Sequence, residues 1–272
     1  MLELPEVEIL RRDLDKDVGG RKIKNVEVTG PKRVIEGAST KKAFESALEG
    51  RKIVSVRRRG MLLVMDIGDD DLLVANFGTG GRFQRMARKV EVDDRTVVLV
   101  TFTQGGQLRF LDGEADAVLT IVAADNLESR FPGLVDIGFD PVDEPMSWTQ
   151  FGQNLIRQDG KLKHLLMNDR FVVGLGPVYS DEILHSALLR WDRAPSKLIT
   201  QEIRRLYRAI VETVHNAVKH RGIEPDVFGE PGGYVEYLEV YGRAGERSRH
   251  GRGDVLTSKI AGKTHFYCDY QV

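Results

Sequence analysis

The chain has 272 residues, of which 41% are hydrophobic, and 40 basic against 41 acidic side chains give a net charge of -1. This length allows one large or two modest domains with buried cores, and no apolar run approaches the roughly 18 residues that a membrane-spanning helix needs. The acidic N-terminus is unlike a signal peptide and Cys268 is the single cysteine, so we expect a cytoplasmic protein without a disulfide framework or a membrane partner.

The first predicted element is a short amphipathic helix over residues 5–18. Its first turn contains Pro5 and acidic residues, which favour a helix N-terminus. Apolar residues then recur at helical spacing, at Val7, Leu10, Leu14 and Val18.

From Lys22 to about Val122 the pattern changes to short runs of valine, isoleucine and leucine separated by glycine and aspartate. The runs are KIKNVEV, KIVSV, LLVMDI, DLLVANF, TVVLVTF and QLRFL. They predict an antiparallel sandwich or barrel. Residues 51–59, RKIVSVRRR, fit equally well a phosphate-binding patch and the solvated face of a strand.

The second half of the chain is predicted to be a helical domain followed by a hairpin. A proline-rich segment with little periodicity indicates a linker before it, and an apolar stripe from Ile203 to Val218 predicts a long helix. The segments YVEYLEVYG and SKIAGKTHFYC predict a terminal hairpin. We therefore assign a β domain, a linker, a helical domain and a hairpin to residues 1–130, 131–147, 148–225 and 236–272.

Three stretches in this order resemble the formamidopyrimidine-DNA glycosylase/endonuclease VIII family. They are ELPEVE at residues 3–8, GKLKHLLMNDRFVVGLGPVYSDEIL at residues 160–184, and VYGRAGERSRHG with KTHFYCDYQ near the C-terminus. The resemblance implies an α+β protein: an N-terminal antiparallel β-sandwich carrying an N-terminal helix, then a helix-two-turns-helix domain with a C-terminal β-hairpin finger. It also implies that duplex DNA is held in a cleft between the two domains.

The family's nucleophile is the amine of a proline that follows the initiator methionine and attacks the sugar C1′ of a flipped nucleotide. That position is Leu2 here, so we expect Met1 to be retained and the free amine to lie one residue away. Glu3 and Glu6 match the two acids of the signature, and they equally fit an acidic first turn that complements the helix dipole. The family's strand lysine aligns with Met61, whose thioether cannot replace a charge.

Family members also insert side chains into the gap left by the flipped base. The wedge position aligns with Thr79, and the usual arginine-containing loop aligns with DGEADA, residues 112–117. Two arginines are thereby replaced by Glu114 and Ala115. Glu114 and Asp116 are expected to repel the duplex at this point.

In the helical domain, Gly174 and Gly176 fit a tight loop whose backbone N–H groups approach a phosphate, followed by a helix that begins at about Ser180. The family's phosphate-binding asparagine aligns with Pro177, which offers neither an amide side chain nor a backbone donor. We expect Asp181 and Glu182 to cap the helix that follows.

The family's finger holds zinc with four cysteines, and here their positions align with Ser248, Gly251, Cys268 and Gln271. His250 and His265 are further candidate ligands, but they lack paired spacing, so we expect a finger with no metal and a protein with no cofactor. Such a finger is expected to be held by Val255, Ile260, Phe266 and Tyr267. The basic residues assigned here to nucleic-acid contact are Arg243, Arg247, Arg249, Arg252 and Lys263.

Three functions remain open on these residues. The first is a catalytically degenerate member that binds nucleic acid, or a protein partner, through the inherited surface, with DNA bound more weakly than in the family and RNA not excluded. The second is an active glycosylase and lyase that uses the Met1 amine, or water directed by Glu3. The third is a protein-interaction module without a nucleic-acid role, which the net charge of -1 favours.

Overall fold

The computed structural model describes residues 1–143, 146–249, 253–260 and 263–272, apart from the side chains of Ile260 and Lys263. The chain forms two compact units. The first contains Met1–Val135 together with Arg221–Gly232, and the second contains Asp136–His220 together with Gly233–Val272. Residues 221–225, which sequence analysis assigned to the helical domain, therefore belong to the first unit.

Helix α1 (Leu4–Val18) opens the first unit. Glu3 occupies the N-cap, a proline lies in the first turn, and the helix ends before Gly19. The side chains at the predicted apolar positions Val7, Leu10, Leu14 and Val18 are all buried. The helical spacing in the sequence therefore identified the face that packs on the core.

The first unit is a β-sandwich, as predicted. Its strands are β1 (Ile23–Glu27), β2 (Ile35–Glu36), β3 (Ser55–Arg59), β4 (Leu62–Asp66), β5 (Asp71–Asn76), β6 (Gly81–Met86), β7 (Thr96–Phe102), β8 (Gln107–Asp112) and β9 (Val118–Ala123). One sheet has the order β1-β7-β8-β6 and the other β2-β9-β5-β4-β3. All neighbouring strands in them are antiparallel except β2 and β9.

One hydrophobic core lies between the sheets and receives the apolar face of α1. Phe77, Phe83 and Phe110 form an aromatic cluster in it, with ring centroids 5.0 to 6.2 Å apart. Helix α2 (Lys41–Leu48), which was not predicted, buries Phe44 and Leu48 and is capped by Thr40. A single turn of helix, α3 (Leu127–Arg130), follows β9.

The second unit is helical and ends in a hairpin. Its helices are α4 (Trp148–Leu155), α5 (Leu162–Leu166), α6 (Pro177–Ser186) and α7 (Thr200–Lys219), and its hairpin pairs β10 (Val255–Ile260) with β11 (Lys263–Cys268). The predicted apolar stripe of α7 is buried. None of the helices in the described residues is long and apolar enough to cross a membrane.

The segment YVEYLEVYG does not form the predicted strand. Residues Gly233–Tyr237 form a 3-10 helix, and the backbone N–H groups of Glu239, Val240 and Tyr241 donate to the carboxylate of Glu182. A strand needs those N–H groups for a neighbouring chain segment. Alternating hydrophobicity alone therefore gave the wrong assignment here.

Candidate active-site cavity

The two predicted catalytic acids meet at the start of α1. Glu3 is the N-cap residue, and its side chain accepts from the backbone N–H of Glu6, while the Glu6 carboxylate accepts from the N–H of Glu3 at 3.2 Å. This is a reciprocal capping box, which satisfies two N–H groups that a helix start leaves without intrahelical partners. Both side chains are buried, with 3% and 6% of the residue surface exposed. The structural role considered for these acids is thus present.

Glu6 also holds a distant segment of the chain. Its Oε1 accepts from the N–H of Ile223 at 3.1 Å. Gly222 has φ +64, and a Cβ there would lie 2.6 Å from the same oxygen, so the contact requires glycine. The carboxylate of Glu6 therefore connects α1 to residues 221–232 within the first unit.

Arg221 fixes the other side of that segment. Its guanidinium donates to both oxygens of Asp13, at 2.9 and 2.6 Å, and also to Asp226. Hydrogen bonds that Arg221 donates to Asp13 and Asp226 outweigh its partial burial and raise the pKa of Arg221 above its ordinary value. Val227 is buried in the core and its carbonyl accepts from Arg85 N–H at 2.7 Å. Residues 221–232 are thus an anchored part of the sandwich unit.

These elements enclose a cavity of about 130 Å³. Met1, Leu2 and Glu6 line one side, residues 79–83 line a second, and Arg221 with residues 224–227 lines a third. Of the three predicted catalytic groups, Met1 and Glu6 line this cavity and Glu3 does not. Arg82, Arg95 and Arg221, which were not predicted, also line it. No local pattern distinguishes these arginines from other surface arginines.

Leu2 and Met61 stand where the resemblance implies a nucleophilic proline and a lysine. Both side chains pack against the hydrophobic core of the sandwich. Met1 itself is 58% exposed. Each residue therefore contributes apolar packing at a position where the chemistry implied by the resemblance needs an amine or a cation.

The basic run at residues 51–59 is largely engaged in ion pairs. Arg51 pairs with Asp71 at 3.0 Å and Arg59 with Glu128 at 3.3 Å. Arg58 is buried, with its Nε 3.4 Å from Glu8 Oε2 and its Nη1 donating to the Gly60 carbonyl. Arg58 points into the protein and so belongs to neither a phosphate-binding patch nor a solvated strand face, while Lys52, Arg57 and Arg59 are exposed and their role stays a prediction.

In the second unit, one of the backbone N–H groups predicted to approach a phosphate is already hydrogen-bonded within the chain. Gly174 has φ +64, and its N–H donates to Asp169 Oδ1 at 2.8 Å. Gly176 caps α6, which begins at Pro177 and not near Ser180, because proline favours the first helical turn. The phosphate contacts assigned to Gly174 and Gly176 stay a prediction.

Asp181 and Glu182 do not cap a helix, which corrects the sequence-based expectation. Both lie inside α6 and are buried. Asp181 Oδ1 lies 2.5 Å from the buried Lys163 ammonium, and its Oδ2 accepts from Phe266 N–H at 3.1 Å. Glu182 accepts three backbone N–H groups at 2.8 to 3.0 Å. The two acids thus attach later segments of the unit to α6.

The finger arginines have different environments. Arg243 donates to the carbonyls of Leu238 and Glu239 and pairs with Glu246 at 2.8 Å, so it serves the packing of the finger. The side chains of Arg247 and Arg249 are exposed. Arg252 lies outside the described residues, as does the side chain of Lys263. The nucleic-acid role of all five basic residues stays a prediction.

The zinc site that the resemblance implies does not match the side chains present. Cys268 is buried, its N–H donates to Gln271 Oε1 at 2.6 Å, and Gln271 Nε2 donates to the Leu189 carbonyl at 2.7 Å. Ser248, which aligns with the first cysteine of the family, is buried. His250 and Gly251 lie outside the described residues. One thiol and an engaged carboxamide do not fit zinc, which prefers sulfur and imidazole ligands. In the described part of the chain, no three His, Cys, Asp or Glu side chains are grouped to hold a metal ion.

Two family models match the chain. Residues 1–115 match the formamidopyrimidine-DNA glycosylase N-terminal domain, and residues 137–227 match the formamidopyrimidine-DNA glycosylase H2TH domain. Among curated relatives, the formamidopyrimidine-DNA glycosylase of Pelotomaculum thermopropionicum is 32% identical over 272 residues, with 98% of each chain covered. That of Heliobacterium modesticaldum is 33% identical over 275 residues, again with 98% of each covered.

Solved structures give the same match. The complex of Lactococcus lactis Fpg with DNA containing an abasic site superposes with a TM-score of 0.89 at 28% identity and covers 98% of both chains. The complex of the same wild-type protein with DNA containing N7-benzyl-Fapy-dG gives the same TM-score, identity and coverage.

Proposed function

The chain belongs to the formamidopyrimidine-DNA glycosylase family, and from that premise we propose that it is a DNA-binding member in which the family's nucleophilic chemistry is lost. The observation that carries the proposal is the packing of Leu2 and Met61 against the core, with Leu2 also lining the cavity that Met1 and Glu6 line. An apolar pair replaces the nucleophile and its neighbouring cation. The capping box supports the same conclusion, because it gives Glu3 and Glu6 a structural task.

DNA is the proposed partner because the similar solved structures are complexes of Fpg with DNA. No similar observation favours RNA or a protein partner. Affinity is expected to come mainly from phosphate contacts, which carry no sequence information and weaken as salt rises. The exposed Arg247 and Arg249 of the finger are the described cations assigned to this role.

The experiment is a titration of fluorescently labelled DNA at salt concentrations between about 50 and 200 mM. We expect affinity to fall linearly on a double-logarithmic plot, and Arg247→Ala or Arg249→Ala to reduce the magnitude of that slope by about one unit each. Lys42→Ala, an exposed substitution on α2, is the matched control and should leave the slope unchanged. Salt-independent binding, or no binding by folded protein, would contradict the proposed function.

We further propose that the finger folds without zinc. Cys268, Val240 and Val255 form a small buried cluster, against which Phe266 and Tyr270 pack. The three hydrogen bonds from residues 239–241 to Glu182 hold the segment before the hairpin. Apolar packing and hydrogen bonding thus occupy the place of metal coordination.

A second function is favoured by one observation: Met1 lines the same cavity as Glu6. If the Met1 amine retains nucleophilic character, its nitrogen attacks C1′ of the opened sugar at an abasic site, and loss of water leaves an imine. Glu3 is then the acid available to assist ring opening. This active form is distinguished from the degenerate one by whether such an imine forms.

A further inference from the structure

Two neighbouring loops of the sandwich unit are joined by one carboxylate. We call residues 77–81 and 112–117 together the cap. Asp116 Oδ2 accepts from the backbone N–H of Thr79 at 2.7 Å and from its hydroxyl at 2.6 Å, and Asp116 Oδ1 accepts from Gly80 N–H at 3.4 Å. The hydroxyl of Thr79, the strongest of these donors, keeps the pKa of Asp116 below its ordinary value, so the carboxylate stays charged.

The backbone of the cap is built for this close contact. Gly78 has φ +51, and a Cβ there would lie 2.3 Å from Asp116 Oδ1. A Cβ on Gly80 would lie 2.7 Å from the backbone nitrogen of Glu114. Ala115 has φ +62, a left-handed conformation that a residue with a Cβ adopts only under constraint. The two loops are therefore held as one unit.

A second carboxylate, that of Asp112, holds the loop of residues 112–117 in place. Asp112 Oδ1 accepts from the N–H groups of Asp116 and Ala117 at 3.2 and 3.3 Å, and Asp112 Oδ2 pairs with Arg33 at 2.8 Å. The side chain of Asp112 is fully buried. These contacts fix the loop that carries Glu114.

The outer side chains of the cap are short or negatively charged. Thr79, Glu114, Ala115 and Asp116 are exposed, and the Thr79 hydroxyl is already bonded to Asp116. A gap in a base stack must be filled by a long apolar or cationic side chain if the flipped state is to be stabilised, and two carboxylates close to phosphates oppose it. None of these four exposed side chains is therefore suited to enter the base stack of an intact duplex.

The same cap forms a wall of the cavity described above. Thr79, Gly80 and Gly113 line it together with Met1 and Glu6. A nucleotide that is already outside a base stack does not need a side chain of the cap to take its place in the stack. Unstacking costs a few kcal/mol, and least for a base that is already unpaired.

We propose that the cap makes this protein selective for DNA whose target nucleotide is already unpaired, as in a single strand or a bulge, over an intact duplex. The proposal rests on the proposed DNA-binding function and concerns the form of DNA that binds. Glu114 and Asp116 act as specificity-determining residues by disfavouring the duplex.

The test compares affinities at one salt concentration for a single strand, a one-base bulge and the fully paired duplex of the same sequence. The native protein should bind the first two at least about tenfold more tightly than the duplex. The double variant Glu114→Gln/Asp116→Asn should gain about tenfold on the duplex and change less than about twofold on the single strand. Asp125→Asn, an exposed acid of the same unit, is the charge-matched control and should change neither affinity.

Glu114→Gln alone keeps the Asp116 contacts and should give part of the gain, which separates charge from any loosening of the cap. Equal native affinity for all three DNAs, or no gain on the duplex in both variants, would overturn the inference while leaving DNA binding intact. Failure of the folded native protein to bind any of the three would overturn the proposed function and this inference with it.

Discussion

Glu8→Gln is expected to lower the free energy of unfolding by about 3 to 5 kcal/mol, because it removes one charge of a buried ion pair, that with Arg58. Glu8 accepts from Arg11 at 2.9 and 3.0 Å and from Arg12 at 2.6 Å, and its Oε2 lies 3.4 Å from Arg58 Nε. The Arg58 side chain is completely buried. A neutral amide at position 8 keeps the side-chain volume but removes the negative charge that pairs with Arg58.

Urea unfolding followed by far-UV circular dichroism measures this loss. Glu27→Gln, an exposed substitution on β1, is the control and should stay within about 0.5 kcal/mol of the native protein. The double variant Glu8→Gln/Arg58→Met should lose less than Glu8→Gln alone, since replacing both members of a buried pair removes the uncompensated charge. A Glu8→Gln variant as stable as the control would show that the ion pair is not needed.

The same pair predicts a dependence on pH. Burial raises the pKa of Glu8, but hydrogen bonds from Arg11 and Arg12 and the charges of Arg11 and Arg58 outweigh it, so the pKa lies below its ordinary value of 4.5. A lowered carboxyl pKa stabilises the fold above the unfolded value, and this stabilisation is lost as pH falls through the folded value. The native protein should therefore lose more stability than Glu8→Gln between neutral pH and strong acid.

The second large effect is expected at Glu182. Glu182→Ala removes the acceptor of the N–H groups of residues 239–241 and should lower the stability of the second unit by about 4 kcal/mol, since each lost bond to a charged group costs about 1.5 to 3 kcal/mol and such losses are not fully additive. The two tryptophans of the chain, Trp148 and Trp191, both lie in this unit, so their fluorescence during urea unfolding reports on it.

Glu236→Ala changes an exposed acid of the same segment and is the matched control. It should leave the free energy of unfolding within about 0.5 kcal/mol of the native value. If Glu182→Ala behaves like Glu236→Ala, then hairpin packing alone, through Val240, Val255 and Cys268, holds the finger. In that case the hydrogen bonds to Glu182 do not replace metal coordination.

The sequence predicted those parts of the fold that rest on periodic burial. The apolar positions of α1 and α7 and the alternating runs of the sandwich are visible because each element buries one regular face. Helix α2 was missed because it is only 8 residues long and carries few apolar side chains. The 3-10 helix Gly233–Tyr237 was missed because its neighbouring N–H groups bond to Glu182, far away in sequence.

At the candidate site, features set by neighbouring residues could be predicted from the sequence, whereas contacts between residues far apart in the chain could not. The pattern of Glu3 and Glu6 indicates a helix start, and the capping box follows from it. The return of residues 221–232 to the sandwich depends on Asp13, Glu6 and Arg85, none of which is near them in sequence. The burial of Arg58 is likewise set by Glu8, so a run of basic residues was read as a surface.

The most direct test of the proposed loss of chemistry is reductive trapping. Folded protein is incubated with borohydride and DNA that carries an abasic site, either paired or in a single strand, with an active formamidopyrimidine-DNA glycosylase as the positive control. We predict DNA binding without a covalent complex and without strand cleavage, for native protein and Glu3→Gln alike. A trapped complex that forms with native protein and is lost in Glu3→Gln would contradict it and show that the Met1 amine is an active nucleophile.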